Sequence, residues 1–189
     1  MGRWVIAPWL DRISRDMNRL VLARLDVKPD DDVLEVGFGG GGLLASLRAR
    51  SVTGVDFSEA AVKRARRRFG SRVAIVQASV EAMPLADRSF DKAVSVNNIY
   101  FWPDSAAGMA ELARVLRPGG VLAIAFEPPE ELRKWPGARF GFRFFDEREV
   151  RALLAGTGFG RIEAAWGEGR KPDRFLCLTA VREGAEAEG

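Results

Sequence analysis

The 189-residue sequence predicts an α/β fold, a mostly parallel sheet with helices on both faces. Three observations carry this expectation. Short apolar runs alternate with helix-like runs along the chain. The strand-like runs are continuously apolar, as strands buried on both faces are. The first of them, at residues 33–36, enters the glycine cluster of residues 37–42 directly.

Residues 10–25 read as an amphipathic helix from their apolar spacing. After the first strand, residues 42–50 read as a helix and 52–55 as the second strand, ending on Asp56. Ser58 suits the N-cap of a helix that runs to Phe69, and Gly70 stops it. Residues 73–76 and 93–96 supply the third and fourth strands. Residues 104–116 read as a helix, closed by Arg117-Pro118-Gly119-Gly120, and 121–126 as the fifth strand. Asp146 opens another helix, with Glu149 three positions on to complete a capping box. Residues 162–165 and 175–181 are the last strands. We expect one domain over residues 1–182, with a helical cap at 1–25 and a small lid at 127–145 rich in Pro, Gly, Arg and aromatics. Residues 183–189, a polar Gly/Ala/Glu tail, are expected to be disordered.

Composition excludes several chemistries. There is no histidine, and Cys177 is the only cysteine. Ser-His-Asp and Cys-His catalysis are therefore ruled out, together with nearly all zinc sites. The net charge of +3 is too mild to argue for nucleic acid by itself. No apolar run approaches the roughly 20 residues that span a bilayer. The first twenty residues are broken by charges and lack a signal-peptide core. The expectation is a soluble, cytoplasmic protein with no membrane partner and no metal.

In open parallel sheets, ligands bind at the carboxyl ends of the strands. Gly37, Asp56, Asn97 and Glu127 each follow a predicted strand, so they should gather along one edge. The glycines allow a sharp strand-to-helix turn and let a ligand approach the backbone. Gly37, Gly39 and Gly42 also fit the dinucleotide pattern G-x-G-x-x-G, so the loop alone does not choose its cofactor. A plain structural turn is the blander reading. Glu35 makes the choice. A carboxylate inside a strand needs a partner, and a bound ammonium supplies one, whereas a pyrophosphate would be repelled. S-adenosylmethionine carries an ammonium and no phosphate; NAD is the reverse. Glu35 could instead accept from neighbouring backbone N–H groups. Asp56 can accept both hydroxyls of a ribose, or it can cap the helix that begins near Ser58.

The chain resembles the class I S-adenosylmethionine-dependent methyltransferases over roughly residues 11–181. The similarity is to the small-molecule, type 11 branch that includes the ubiquinone/menaquinone biosynthesis enzymes. Val33-Leu34-Glu35-Val36-Gly37-Phe38-Gly39-Gly40-Gly41 resembles the family's first motif, and Gly54-Val55-Asp56-Phe57-Ser58 its ribose motif. Gln77-Ala78-Ser79-Val80-Glu81-Ala82-Met83-Pro84-Leu85 resembles the adenine-side motif. Ser89-Phe90-Asp91-Lys92-Ala93-Val94-Ser95 leads into the fourth strand. Glu111-Leu112-Ala113-Arg114-Val115-Leu116-Arg117-Pro118-Gly119-Gly120 is the most specific later match. The resemblance implies a Rossmann-like seven-stranded sheet with the last strand antiparallel, and S-adenosylmethionine as cofactor. It implies that Glu35, Gly37, Phe38, Gly39 and Gly41 form the cofactor loop, and that Gly37 and Asn97 offer backbone contacts to the methionine amino group. Asp56 would bind the ribose, Phe57 would pack on the adenine, and Ser79, Val80 and Glu81 would lie at the adenine edge. Met17 and Asn18 would cover the methionine end. Ser79 departs from the Asp common in the family; a hydroxyl accepts the same hydrogen bond without charge assistance.

Methyl transfer from a sulfonium needs positioning more than acid–base groups, which suits a chain without histidine. If the acceptor must lose a proton, Glu127, Glu81 and Tyr100 are the candidates. Glu127 could equally be an exposed turn carboxylate. Tyr100, Phe101 and Trp102 would wall an acceptor pocket with Phe140, Phe142, Phe144 and Trp166, and Arg133, Arg139 and Arg143 would face an anionic acceptor or plain solvent. The expected function is methyl transfer to a small-molecule acceptor by a monomer or homodimer. The alternatives are an RNA methyltransferase, suggested by the basic run Lys63-Arg64-Ala65-Arg66-Arg67-Arg68, and an NAD(P)-dependent oxidoreductase. That basic run also fits a helix with one buried face and a solvated outer one.

Overall fold

The computed structural model describes residues 14–135, 143–170 and 172–184. Seven strands form one sheet in the order β3-β2-β1-β4-β5-β7-β6. They are β1 Asp32–Val36, β2 Ser51–Asp56, β3 Ala74–Gln77, β4 Phe90–Val96, β5 Leu116–Phe126, β6 Phe159–Glu168 and β7 Arg174–Arg182. The pairs β1/β2, β2/β3, β1/β4 and β4/β5 are parallel, and β7 runs antiparallel to both β5 and β6. The sheet is the one the resemblance implied.

The helices are α1 Arg15–Leu25, α2 Glu59–Phe69, α3 Ser105–Val115, α4 Pro129–Leu132 and α5 Glu147–Ala155. Strand alternation sorts the core into two layers. Leu122, Ile124 and Phe126 of β5 face α3 and α5, with Leu112 and Leu154 among the buried partners. Ala123 and Ala125 of the same strand face α1, against Met17, Val21 and Leu25. Beside them, Val33 packs with Ala61, Val62, Ala65 and Phe69 of α2. Each fully buried leucine or phenylalanine contributes about 1.5–3 kcal/mol.

The capping signals read at Ser58 and Asp146 work as expected, and Asp104, read as the first helical residue, proves to be a third cap. The Ser58 hydroxyl accepts from Ala61 N–H, and the Asp104 carboxylate accepts from Ala106 and Ala107 N–H at 3.0 Å. Asp146 and Glu149 form the reciprocal capping box.

Two expectations change. Residues 42–50 are turns, not a helix. Ala45 N–H reaches Gly41 and Leu47 N–H reaches Leu43, but Ser46 N–H bonds three residues back to Leu43. The Ser46 hydroxyl also takes the Gly42 carbonyl, and Arg48 takes those of Ala45 and Leu47. Side chains thus compete with the helical ladder. Arg117-Pro118-Gly119-Gly120 is not a separate closing loop either. Leu116 already pairs with Phe90, and Lys92 with Val121, so a bulge inside β5 absorbs the intervening residues. The amino ends are tied by charge: Arg50 and Arg117 both reach Asp32, and Arg117 also reaches Asp91 at 2.8 Å. These guanidinium groups hold the Asp32 carboxyl well below the usual carboxylate range.

Residues 1–13 of the predicted cap, Phe140, Phe142 and Arg139 of the predicted lid, and residues 185–189 of the tail lie outside the described residues.

Candidate active site

Because β2, β1, β4 and β5 are parallel neighbours, Asp56, Gly37, Asn97 and Glu127 emerge in a row along one edge. The row is knitted by backbone bonds: Gly37 N–H to Val55 at 2.8 Å and Asn97 N–H to Ala125 at 2.8 Å. A cavity of about 340 Å³ opens over Asp56, Gly37 and Asn97 of this row, and Glu127 lies outside its lining. Its lining includes Asn18, Glu35, Gly37, Phe38, Gly39, Asp56, Phe57 and Asn97. A second cavity of about 220 Å³ adjoins it, bounded by Asp56, Phe57, Ser79, Val80, Asn98, Phe101 and Trp102. Asp56 and Phe57 border both, so a ligand bent around them would occupy the two together.

Gly37 and Gly39 have φ of 74° and 49°, the left-handed region that glycine tolerates. Above Gly37 the space is filled by the Asn98 side chain, whose amide atoms would lie 2.1–2.4 Å from an added Cβ. Asn98 in turn accepts from Trp102 Nε1 at 2.6 Å. At Gly39 a Cβ would meet nothing within 4 Å, and the backbone there borders the larger cavity. Gly41 differs: a Cβ would strike Phe69 of α2 at 2.9 Å. It is absent from the lining of either cavity, and serves the packing of the loop on the helix.

Glu35 is buried, with 4% of its surface exposed, yet borders the cavity. A buried carboxylate at this place suits a cationic ligand group and opposes a phosphate. Asp56 is 7% exposed. One carboxylate oxygen accepts from Gly39 N–H and the other from Ser58 N–H, both at 2.9 Å. Asp56 therefore fastens the glycine loop to Ser58, the residue whose own hydroxyl caps α2, and keeps lone pairs for hydroxyl donors. Burial raises its pKa, while the two N–H groups and the charge of Arg64 oppose the rise. Phe57 is 69% exposed between the two cavities. Among the described aromatics, only Phe57, Phe101 and Trp166 combine size with such exposure. Trp166 carries Arg174 over its ring at 4.6 Å.

Other expected residues occupy supporting places. The Ser79 hydroxyl donates to Glu81, whose second oxygen accepts from Asp104 N–H at 3.2 Å. Glu81 borders neither cavity and braces the loop that presents Ser79 and Val80. The Tyr100 ring is buried, and its hydroxyl accepts from Glu127 N–H. Burial, with the Glu127 charge, pushes the phenol well above its ordinary value. Tyr100 lines neither cavity, and its hydroxyl ties the turn after β4 to the end of β5.

Glu127 is not an exposed turn carboxylate: 1% of it is accessible. It accepts from Trp135 Nε1 at 2.9 Å and from the Asn97 side chain. Burial pushes its pKa up to about 7, aided by the nearby Glu131 charge and opposed by those two hydrogen bonds. The folded chain thus holds this proton where the unfolded chain, with an ordinary value of 4.5, has released it. The stability gained is full below 4.5 and is lost as pH rises through about 7, in all about 3 kcal/mol. Glu127→Gln should flatten that dependence. Denaturant midpoints at pH 5 and pH 8 check it: the wild type should weaken at the higher pH and the variant should not.

Asn98 is the residue that sequence reasoning missed. Its signal was present, as the second Asn after the fourth strand, but nothing local shows that it lies on Gly37. No group of three or more metal-ligating side chains and no membrane-length apolar helix occurs among the described residues.

A methyltransferase-domain profile matches residues 34–124, which carry the glycine loop, Asp56 and the Asn97 turn. The chain is 32% identical over 175 residues to the uncharacterized methyltransferase YdaC of Bacillus subtilis (strain 168), covering 89% of this chain and 93% of that one. It is 34% identical over 128 residues to phthiotriol/phenolphthiotriol dimycocerosates methyltransferase 1 of Mycobacterium ulcerans (strain Agy99), covering 64% and 47%. Among solved structures, an S-adenosylmethionine-dependent methyltransferase from Aquifex aeolicus superposes with a TM-score of 0.76 at 24% identity, covering 93% and 96%. The Haloferax volcanii methyltransferase solved with its Trm112 activator gives 0.82 at 20% identity, covering 92% of each chain. At these identities the structures speak for the fold.

Proposed function

The chain belongs to the class I S-adenosylmethionine-dependent methyltransferases, in the type 11 branch, and on that premise we propose that it methylates a small-molecule acceptor as a soluble cytoplasmic enzyme, monomeric or homodimeric. The observation that carries the reading is the cofactor-sized pair of cavities with a buried carboxylate, Glu35, in the first and Asp56 at their junction. The bound cofactor supplies a methyl group already activated on a sulfonium. What remains for the chain is binding, orientation and exclusion of water.

In this reading Glu35, Asn18 and the backbone at Gly37 and Asn97 receive the methionine end. Phe38 and Gly39 shape the floor. Asp56 takes the ribose hydroxyls, Phe57 the adenine face, and Ser79 and Val80 its edge. Glu127 is the candidate base. Phe57→Ala should weaken S-adenosylhomocysteine binding by about 1–3 kcal/mol through lost stacking. Because the ring is exposed, stability should change by less than about 0.5 kcal/mol. Calorimetry and thermal melts together check the pair of effects.

Two observations support a small-molecule acceptor over RNA. The Mycobacterium ulcerans relative is named for phthiotriol and phenolphthiotriol dimycocerosates. Two arginines of the basic helix are already engaged: Arg66 donates to the Ile75 carbonyl and Arg68 to that of Gly40. The test is transfer of labelled methyl from S-adenosylmethionine into cell extract. Label in the small-molecule fraction is expected. Label confined to RNA, with binding that falls steeply with salt, would sink the reading.

A further inference from the structure

We propose that the outer face of α2 docks the protein on an anionic lipid bilayer, with Lys63 and Arg67 at its centre set against the headgroup phosphates. Neither residue lines a cavity, and the surface does not depend on the methyltransferase reading.

Charge is unevenly placed along the chain. Residues 57–77 carry six basic side chains, Lys63, Arg64, Arg66, Arg67, Arg68 and Arg72, against one acidic, Glu59. The whole chain is only +3, so the remainder is net acidic. Elsewhere basic side chains find carboxylates: Arg24 with Glu163, Arg50 and Arg117 with Asp32, Arg114 with Glu111, Arg151 with Glu147. Among the described residues, none of the six is in an ion pair.

The helix sets their directions. Ala61, Val62, Ala65 and Phe69 face the core with Val33 and Leu44. Lys63 and Arg67, four apart, lie together opposite that face, and both are exposed. Arg66 and Arg68 stand at its two borders and turn aside to the Ile75 and Gly40 carbonyls. Arg68 and Arg72 lie 5.1 and 5.9 Å from the Phe69 ring, so the basic surface extends past the helix end. Arg64 turns to the larger cavity, where its charge acts on Asp56.

The surface discriminates among anionic partners. A single-stranded nucleic acid stacks its bases on aromatic rings, but the one aromatic of α2, Phe69, is 4% exposed. A protein that captures a basic amphipathic helix takes its apolar face into a groove, and here that face is held in the core. A bilayer needs neither feature. It is a fluid anionic plane that attracts clusters of about four to eight basic side chains on a helix. The protein would lie on it; no helix among the described residues is long and apolar enough to cross. Because Arg64 borders the larger cavity one position from Lys63, docking on this face holds that rim beside the headgroups.

The test is sedimentation of the full chain with vesicles of phosphatidylcholine, alone or mixed with phosphatidylglycerol. Binding to the mixed vesicles at low salt is expected, with none to phosphatidylcholine alone. Release is expected at about 1 M salt, where charges are screened beyond about 3 Å. Lys63→Gln combined with Arg67→Gln should weaken binding about 30-fold, about fivefold for each charge lost. Both side chains are exposed, so that variant should melt as the wild type does. The control, Arg148→Gln combined with Arg170→Gln, removes the same charge from α5 and the β6–β7 turn. It should weaken binding less than about twofold. An α2 variant that binds as the wild type does, or a control that loses as much as the α2 variant, would overturn the proposal. So would a wild type that ignores the mixed vesicles; its capture by polyuridylic acid in that case would give the face to nucleic acid.

Discussion

Gly37→Ala is expected to lower stability by about 2–5 kcal/mol, the sum of left-handed strain and overpacking. In a domain of this size that is a fall of roughly 4–20 °C in Tm. The strain arises because the residue sits at φ 74°. The overpacking arises because the new Cβ would fall 2.1–2.4 Å from the Asn98 amide. Asn98 cannot retreat freely, since it holds Trp102 Nε1 at 2.6 Å and stands between the two cavities. Gly39→Ala is the matched control. Its φ of 49° carries similar strain, but its Cβ would meet nothing within 4 Å. It should cost only about 1–2 kcal/mol. Its methyl group would occupy ligand space, so binding of S-adenosylhomocysteine should suffer more than stability does. Equal melting temperatures for the two variants would mean that Asn98 does not brace Gly37.

Asp56→Ala is expected to weaken S-adenosylhomocysteine binding by about 1–3 kcal/mol from the ribose hydroxyls alone, roughly fivefold to more than 100-fold. The structure enlarges that expectation. The same carboxylate holds Gly39 N–H and Ser58 N–H, so its removal also frees the glycine loop from the start of α2. Two orphaned donors should cost a further 1–3 kcal/mol or so of stability. Asp56→Asn keeps one acceptor oxygen and should fall between alanine and wild type in both measurements. Calorimetric affinity and denaturant midpoints separate the two parts. Unchanged affinity in the alanine variant would show that the ribose does not lie at Asp56.

Much of the fold was legible because its signals are local. Ser58, Asp104 and Asp146 cap helices with their own side chains, within three residues of the groups they bond. The apolar runs marked all seven strands. Residues 42–50 misled because propensity spoke for a helix while Ser46 and Arg48 took its carbonyls. The Pro-Gly-Gly sequence read as a stop, yet pairing of Leu116 with Phe90 carried the strand through it as a bulge.

The site divides in the same way. Glu35, Gly37, Asp56 and Asn97 were readable because each sits in or just after a strand, and parallel strands bring those ends together whatever their order. The sequence by itself determined the layered α/β fold, the methyltransferase motifs and the edge where chemistry gathers. Only the tertiary structure showed that Gly39 borders the larger cavity while Gly41 faces Phe69. Only it laid Asn98 on Gly37 and turned Tyr100 from a candidate base into a buried brace. It also took Glu127 from an ambiguous turn residue to a buried acid linked to Asn97. Those outcomes depend on the strand order β2-β1-β4-β5 and on side chains arriving from distant segments. Burial and hydrogen bonding of a side chain are set by such neighbours, and no window of sequence contains them.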